Sequence, residues 1–117
     1  MISVTVYRAL FWLLLAAVAI LSLMSLDSQQ SMFVWQDKVH HMAAYAVLFW
    51  CLLGGYEKQQ NLWFLGILLT LFSGLIEVAQ SYTGYRQAEL MDLLANAAGI
   101  VLAALLHVLI RRFKLLL

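Results

Sequence analysis

Four long apolar runs restrict the folds open to this chain. They cover residues 9–26, 39–56, 62–79 and 90–110, and each approaches or meets the roughly 20 residues that a helix needs to cross a bilayer core of about 30 Å. Hydrophobic residues make up 65% of the chain and charged residues 11%, against about 45–50% and about 25% in soluble domains. The sequence therefore predicts an all-α, polytopic membrane bundle of four transmembrane helices in a single domain, 1–117, with helices at about 7–26, 38–56, 61–80 and 88–110.

The first run has a second interpretation, as a cleaved signal peptide, because Arg8 precedes an apolar stretch. Its 18 residues exceed the usual apolar region of about 7–15 residues, and it has no Ala-x-Ala-like cleavage site. We therefore expect it to remain as a spanning helix. The loops between the runs are short and polar, which favours antiparallel neighbours.

The basic residues predict the orientation of the chain. With the N-terminus inside, five basic residues face the cytoplasm and two, Lys38 and Arg86, face outward. The positive-inside rule therefore predicts that both termini are cytoplasmic. The five inner residues are Arg8, Lys58, Arg111, Arg112 and Lys114. Because Lys38 and Arg86 lie against this bias, they are candidates for a site.

The charge of the chain argues against one class of partner. The formal net charge is +1, and no basic stripe is present that could neutralise the phosphates of a duplex. Nucleic acid is therefore not an expected partner, whereas membrane lipids are. The single cysteine, Cys51, lies in an apolar run and is expected to be a small buried side chain.

The second predicted helix carries a polar stripe. Asp37, His41 and Tyr45 recur every four residues, a step of roughly 40° around a helix, so they share one face. An ionisable residue at the centre of a spanning helix costs about 2.5–3.5 kcal/mol on insertion scales, and less near the ends. The stripe therefore needs a structural or functional reason.

Two further stripes lie at the same predicted depth. Glu77 and Gln80 are neighbours on the third helix, and Glu89, Asp92 and Asn96 form one line on the fourth. Together with Lys38 and Arg86, these stripes predict a mixed-charge pocket that opens to the outside. The candidate ligand-binding residues are Asp37, Lys38, His41, Tyr45, Glu77, Gln80, Arg86, Glu89, Asp92 and Asn96.

The order of these motifs resembles that of the VanZ-like family of membrane proteins. The resemblance runs over residues 37–99, through Asp-Lys-Val-His-His at 37–41 with Tyr45, Gly-Leu-Ile-Glu-Val-Ala-Gln at 74–80, and then Arg86, Asp92, Asn96 and Gly99. Two positions differ: Gly84-Tyr85-Arg86 replaces the Pro-Gly-Arg often found in the family, and Ala103 replaces a second small residue, usually glycine.

The resemblance implies a multi-pass protein of the bacterial cytoplasmic (inner) membrane. Some members of the family are linked to glycopeptide resistance of the teicoplanin type, but the family supplies no reaction. The leading hypothesis is that the pocket binds a phosphate-bearing envelope molecule, such as a lipid-linked cell-wall precursor. Lys38 and Arg86 would hold the phosphate, Glu77 and Asp92 would position Arg86, and His41 and Tyr45 would line the pocket.

Several alternatives remain open from the sequence. Asp37 and Glu89 are also suited to capping their helices, and Glu77, Arg86 and Asp92 are suited to a buried salt-bridge lock that only fixes helix packing. An enzyme with His41 as general acid or base is a further alternative, but no nucleophile-plus-base signature is visible and no catalytic residue is assigned. A small transporter is the last, although no broken helix is detectable.

A metal site is weighed against these alternatives. His40 or His41 with Asp92 or Glu77 offers the ligand types that zinc or manganese accepts. Adjacent histidines point about 100° apart on a helix, so at most one of them joins the stripe. Dedicated metal-ligand spacing is absent, and the sequence predicts neither a metal nor a cofactor.

Overall fold

Four α-helices account for nearly all of the described chain. The computed structural model describes residues 2–24, 34–84 and 90–116. The helices are α1 (Val4–Leu23), α2 (Val34–Tyr56), α3 (Leu62–Tyr82) and α4 (Leu90–Leu116), and the described residues contain no strand. Each helix is long and apolar enough to span a membrane, as the sequence predicts.

Local sequence fixes the starts of two helices. The Ser3 hydroxyl accepts a hydrogen bond from the Val6 amide at 3.2 Å, and the Asn61 side chain accepts one from the Phe64 amide at 2.7 Å. Each cap satisfies an amide that lacks a partner in the first helical turn. Glycine follows the end of α3, where Gly84 has a φ of +78°.

The observed helix bounds differ from the predicted ones by a few residues. α1 begins at Val4 because Ser3 caps it, and it ends at Leu23, where the backbone of Met24 becomes extended. α2 begins four residues earlier than predicted, and α4 continues to Leu116 beyond its apolar run. Residues 25, 26, 88 and 89 of the predicted helices lie outside the described residues.

The helices form an antiparallel up-and-down bundle in which α2 and α4 run parallel and pack most extensively. Lys38 near the start of α2 contacts Asp92 near the start of α4, and Glu57, just after α2, contacts His107 in the C-terminal half of α4. Helices α1 and α3 pack on this central pair. The starts of α2 and α4 define the cluster end of the bundle. The starts of α1 and α3 lie at the opposite end, the termini end, which also carries the C-terminal half of α4.

The close approach of α2 and α4 depends on Gly99. A Cβ atom added there would lie 2.1 Å from the carbonyl oxygen of Met42. Small residues at such crossings let helix backbones approach each other in membranes. The glycine therefore sets the distance between the two helices that carry most of the candidate site.

The core consists of aliphatic and aromatic side chains centred on α2. Leu48, Phe49 and Leu53 are almost completely buried, and Phe11, Leu65, Leu69 and Ile100 pack around them. Large apolar side chains cover much of the outside instead; Trp63, Leu71 and Leu75 are each more than 60% exposed. A surface of this kind is stable in lipid rather than in water.

Candidate functional site

Polar side chains from α2 and α4 converge at the cluster end. Asp37, Lys38 and His41 come from α2, and Asp92 and Asn96 come from α4; we call these five residues the α2–α4 cluster. Local sequence places Asp37 and His41 one turn apart on α2, and Asp92 and Asn96 one turn apart on α4, so each pair shares one face of its helix. The parallel arrangement of the two helices then places the two pairs side by side.

Lys38 links the two helices through carboxylates. Its Nζ forms an ion pair with Asp92 Oδ1 and lies 3.5 Å from Asp37 Oδ2. The Asp92 side chain is only 3% exposed and the Lys38 side chain 15%, so the pair is shielded from bulk water. The sequence predicts that a basic residue neutralises carboxylates in this layer, and the structure pairs Lys38 with Asp92 and Asp37.

His41 lies between the same two carboxylates on their other oxygens. Its Nε2 is 3.7 Å from Asp37 Oδ1 and 3.9 Å from Asp92 Oδ2, and its Nδ1 is 3.0 Å from Asn96 Oδ1. The amide oxygen accepts a hydrogen bond, so Nδ1 is the protonated nitrogen in this arrangement. Asn96, 2% exposed, therefore fixes the orientation of the imidazole ring.

The cluster is buried on one side and accessible on the other. Asp92 and Asn96 are almost fully enclosed, whereas the Asp37 side chain is 38% exposed. Water or a solute can therefore reach the cluster along Asp37. The cluster lies near the starts of α2 and α4, beside the apolar core.

The other candidate residues on described helices are buried, but they do not all face the α2–α4 cluster. Tyr45 lies one turn below His41 and is 3% exposed, and Glu77 of α3 is 6% exposed. Gln80, 2% exposed, donates a hydrogen bond to the carbonyl of Ser22 at 2.8 Å. Gln80 therefore joins α3 to the end of α1, a contact that its spacing from Glu77 does not predict.

Two predicted site residues, Arg86 and Glu89, lie outside the described residues. The hypothesis that Glu77 and Asp92 position Arg86 therefore stays a prediction. Within the described residues, Asp92 forms an ion pair with Lys38. The five residues of the α2–α4 cluster are members of the predicted pocket that the described structure brings into contact.

A second polar cluster, which the sequence analysis did not predict, lies at the termini end. Glu57 Oε2 is 2.7 Å from His107 Nε2 and 3.7 Å from Arg111 Nη1. The approach to His107 is close but lacks hydrogen-bond alignment, whereas Arg111, whose guanidinium is always charged, gives Glu57 an ionic contact. The only sequence signal was Glu57 in the polar loop and His107 one turn before Arg111.

The termini end also contains features that separate it from the candidate site. Arg8 donates a hydrogen bond to the Gly55 carbonyl at 2.9 Å and lies over the Tyr56 ring at 4.5 Å. An apolar cleft of about 440 Å³ opens nearby. Its lining comes mainly from α1 and α3 and includes Phe11, Trp12, Phe64, Leu68 and Phe72. The cleft is thus distinct from the polar site.

Comparison with known proteins agrees with the order of motifs. A family model described as VanZ/LLP1 matches residues 11–111, a stretch that reaches into all four helices. No curated protein matches the chain, and no solved structure does. The four apolar helices and the family match together indicate a multi-pass membrane protein. Because the matched region is most of the sequence, the chain belongs to the VanZ/LLP1 family.

Proposed function

We propose that this chain is a bacterial inner-membrane protein that binds the phosphate-bearing headgroup of an envelope lipid, such as a lipid-linked cell-wall precursor, at the α2–α4 cluster. The observation that carries the proposal is the pairing of Lys38 and His41 of α2 with Asp92 and Asn96 of α4. These groups lie near the starts of two candidate spans, where a headgroup would meet the hydrocarbon core.

The energetics favour a functional reason for the cluster. Ionisable groups inside a span are costly and usually mark a site or a pathway. A structural lock between α2 and α4 needs one ion pair, which Lys38 and Asp92 already provide. His41 and the half-exposed Asp37 add polar groups that such a lock does not need.

The electrostatics suit a phosphate next to a positive group. The N-terminal ends of α2 and α4 lie at the cluster end, and each carries a partial positive charge from its helix dipole. Lys38 places an ammonium group between them, paired with the Asp92 and Asp37 carboxylates. Asp37 gives the site an open side toward the headgroup layer.

Lipid analysis of purified protein tests the proposal. The full chain is purified in a mild detergent, and its lipids are identified by mass spectrometry, with added polyprenyl phosphate as a defined probe. We expect wild-type protein to retain polyprenyl phosphate and Lys38→Met to lose most of it. Lys58→Met, which changes an exposed lysine at the termini end, is the matched control and should retain the probe.

Three outcomes distinguish binding from its alternatives. Equal retention of the probe by wild type and Lys38→Met would contradict the proposal. A variant that loses thermal stability while retaining the probe would identify the cluster as a packing lock. Conversion of the probe into a new product, abolished in His41→Ala, would replace simple binding by catalysis.

A role in resistance is part of the same proposal. If the bound molecule is a cell-wall precursor, we expect cells that express the wild type to tolerate more teicoplanin than cells that express Lys38→Met. The two strains must contain equal amounts of the protein in the membrane. Equal susceptibility would remove the resistance role and leave lipid binding to be decided by the lipid analysis.

A further inference from the structure

Three acceptor atoms of the α2–α4 cluster face one another. With Nδ1 of His41 directed at the Asn96 amide oxygen, the lone pair of a neutral imidazole lies on Nε2. That nitrogen faces Asp37 Oδ1 and Asp92 Oδ2. Such an arrangement is favourable when a positive species lies between the three atoms.

The distances indicate which positive species fits. A proton on Nε2 would need an acceptor at about 2.7–3.2 Å, but the two carboxylate oxygens lie at 3.7 and 3.9 Å. A zinc ion binds such ligands at about 2.0–2.2 Å in a tetrahedron, which places the ligand atoms about 3.4 Å apart. His41 Nε2 is about 0.3–0.5 Å farther than this spacing from the two carboxylate oxygens. Because all three atoms lie within 4.8 Å of one another, the two oxygens need to approach each other by at most about 1.4 Å.

Lys38 contacts the opposite oxygen of each of these two carboxylates. It contacts Asp92 Oδ1 and Asp37 Oδ2, whereas His41 faces Asp92 Oδ2 and Asp37 Oδ1. A cation bound by the second set of oxygens leaves the lysine contacts in place. Lys38 then acts as a partner that orients both carboxylates, as hydrogen-bonded groups around metal ligands commonly do.

We propose that Asp37, His41 and Asp92 form a binding site for a divalent transition-metal ion, zinc or manganese, with Asn96 orienting the imidazole. One nitrogen and two carboxylate oxygens match the ligand preferences of both ions. Three protein ligands leave a coordination position open, and the exposed side of Asp37 supplies the path for entry.

The charge of the cluster gives the ion a role. Asp37, Asp92 and Lys38 together carry a net charge of −1, and a divalent ion changes it to +1. A phosphate oxygen in the open coordination position would then face a net positive charge in addition to the two helix N-termini. This role rests on the proposed function, whereas metal binding itself does not.

Metal binding to the full chain in detergent tests the site without any lipid. Protein stripped with a chelator is titrated with zinc chloride or manganese chloride, and bound metal is measured by calorimetry and by elemental analysis after gel filtration. We expect about one ion per chain for the wild type. His41→Ala and Asp92→Asn should each weaken binding by at least 100-fold, and Asn96→Leu by about 10- to 100-fold.

His40→Ala is the matched control. His40 is the adjacent histidine, is exposed, and lies about 100° around the helix from His41, so its loss should leave metal affinity unchanged. Equal losses in His40→Ala and His41→Ala, or no binding by wild type at millimolar zinc and manganese, would overturn the site. Far-UV circular dichroism identifies variants that fail to fold.

Two measurements on the wild type keep the proposal testable if the variants unfold. Bound metal should raise the melting temperature, because an ion that binds the folded state stabilises it by mass action, and absence of that shift would contradict the site. Cobalt substitution should give the visible spectrum of a nitrogen- and oxygen-bound ion, and an octahedral aqueous spectrum would contradict it as well.

The role in lipid binding is tested separately. Retention of polyprenyl phosphate is compared in metal-loaded and chelator-treated wild-type protein. Loss of the lipid on chelation supports an ion that binds both the protein and the lipid phosphate. Equal retention in both samples would show that the ion does not hold the lipid. The metal site itself would still be decided by the metal titration, and the proposed function by the Lys38→Met variant.

Discussion

Replacing Gly99 by alanine tests whether the contact between α2 and α4 sets the geometry of the site. The new Cβ atom would lie 2.1 Å from the Met42 carbonyl oxygen and 3.1 Å from the Ala46 amide nitrogen. Both are backbone atoms, so neither can rotate away as a flexible side chain does. Since carbon–oxygen contacts between helices start at about 3.3 Å, the helices must separate locally by about 1.2 Å.

The free-energy cost of Gly99→Ala depends on which atoms must move. Overpacking a core costs about 1–3 kcal/mol, and occasionally more. The rigid backbone of α2 puts Gly99→Ala at the upper end, about 3 kcal/mol, which is roughly a 100-fold change in the unfolding equilibrium. Asn96 lies one turn from Gly99, so its contact with His41 should lengthen as well.

Unfolding in mixed micelles measures this cost. Far-UV circular dichroism follows the loss of helix as sodium dodecyl sulfate replaces a mild detergent. Gly74→Ala is the control, because a Cβ atom there meets no atom within 4 Å, and removing glycine from a helix gains up to about 1 kcal/mol. If Gly99→Ala unfolds at the same fraction of sodium dodecyl sulfate as the wild type or Gly74→Ala, the close contact at Gly99 does not limit stability.

Two further substitutions test contacts at opposite ends of the bundle. Gln80→Met removes the hydrogen bond to Ser22 with little change in side-chain length, and thermal unfolding should show a loss of about 1 kcal/mol; an unchanged melting temperature would mean that the contact contributes no stability. Glu57→Gln removes the carboxylate next to His107 and Arg111. Because these groups are partly exposed, the free energy of unfolding should fall by about 0.2–1 kcal/mol, and the difference should shrink in high salt. A difference that does not depend on salt would contradict an ionic contact.

The number and approximate position of the helices could be predicted because membrane spans have a strong sequence signal. About 20 apolar residues are needed for each span, and each apolar run approaches or meets that length. The ends are harder to predict, because a cap such as Ser3 and a first turn that contains Gln36 and Asp37 extend helices beyond the apolar runs. Hydropathy marks the hydrocarbon core rather than the end of hydrogen bonding.

The polar face of each helix could be predicted, but the pairing between helices could not. Spacing placed Asp37 and His41 on one face of α2, and the structure brings both to Asp92. Spacing gives no information about how a helix is rotated against its neighbours. For that reason the contact of Gln80 with α1 and that of Glu57 with α4 were not predicted.

The distribution of the α2–α4 cluster over two distant segments affects how the protein enters the membrane. The partners of Lys38 and His41 on α4 lie 54 and 55 residues later in the chain. At a synthesis rate of about 5–20 residues per second, the translocon receives α2 roughly 3–11 s before those partners. α2 also has the lowest mean hydropathy of the four spans, 1.2 against 2.0–2.3. The contacts of the α2–α4 cluster therefore cannot form until α4 has been synthesised.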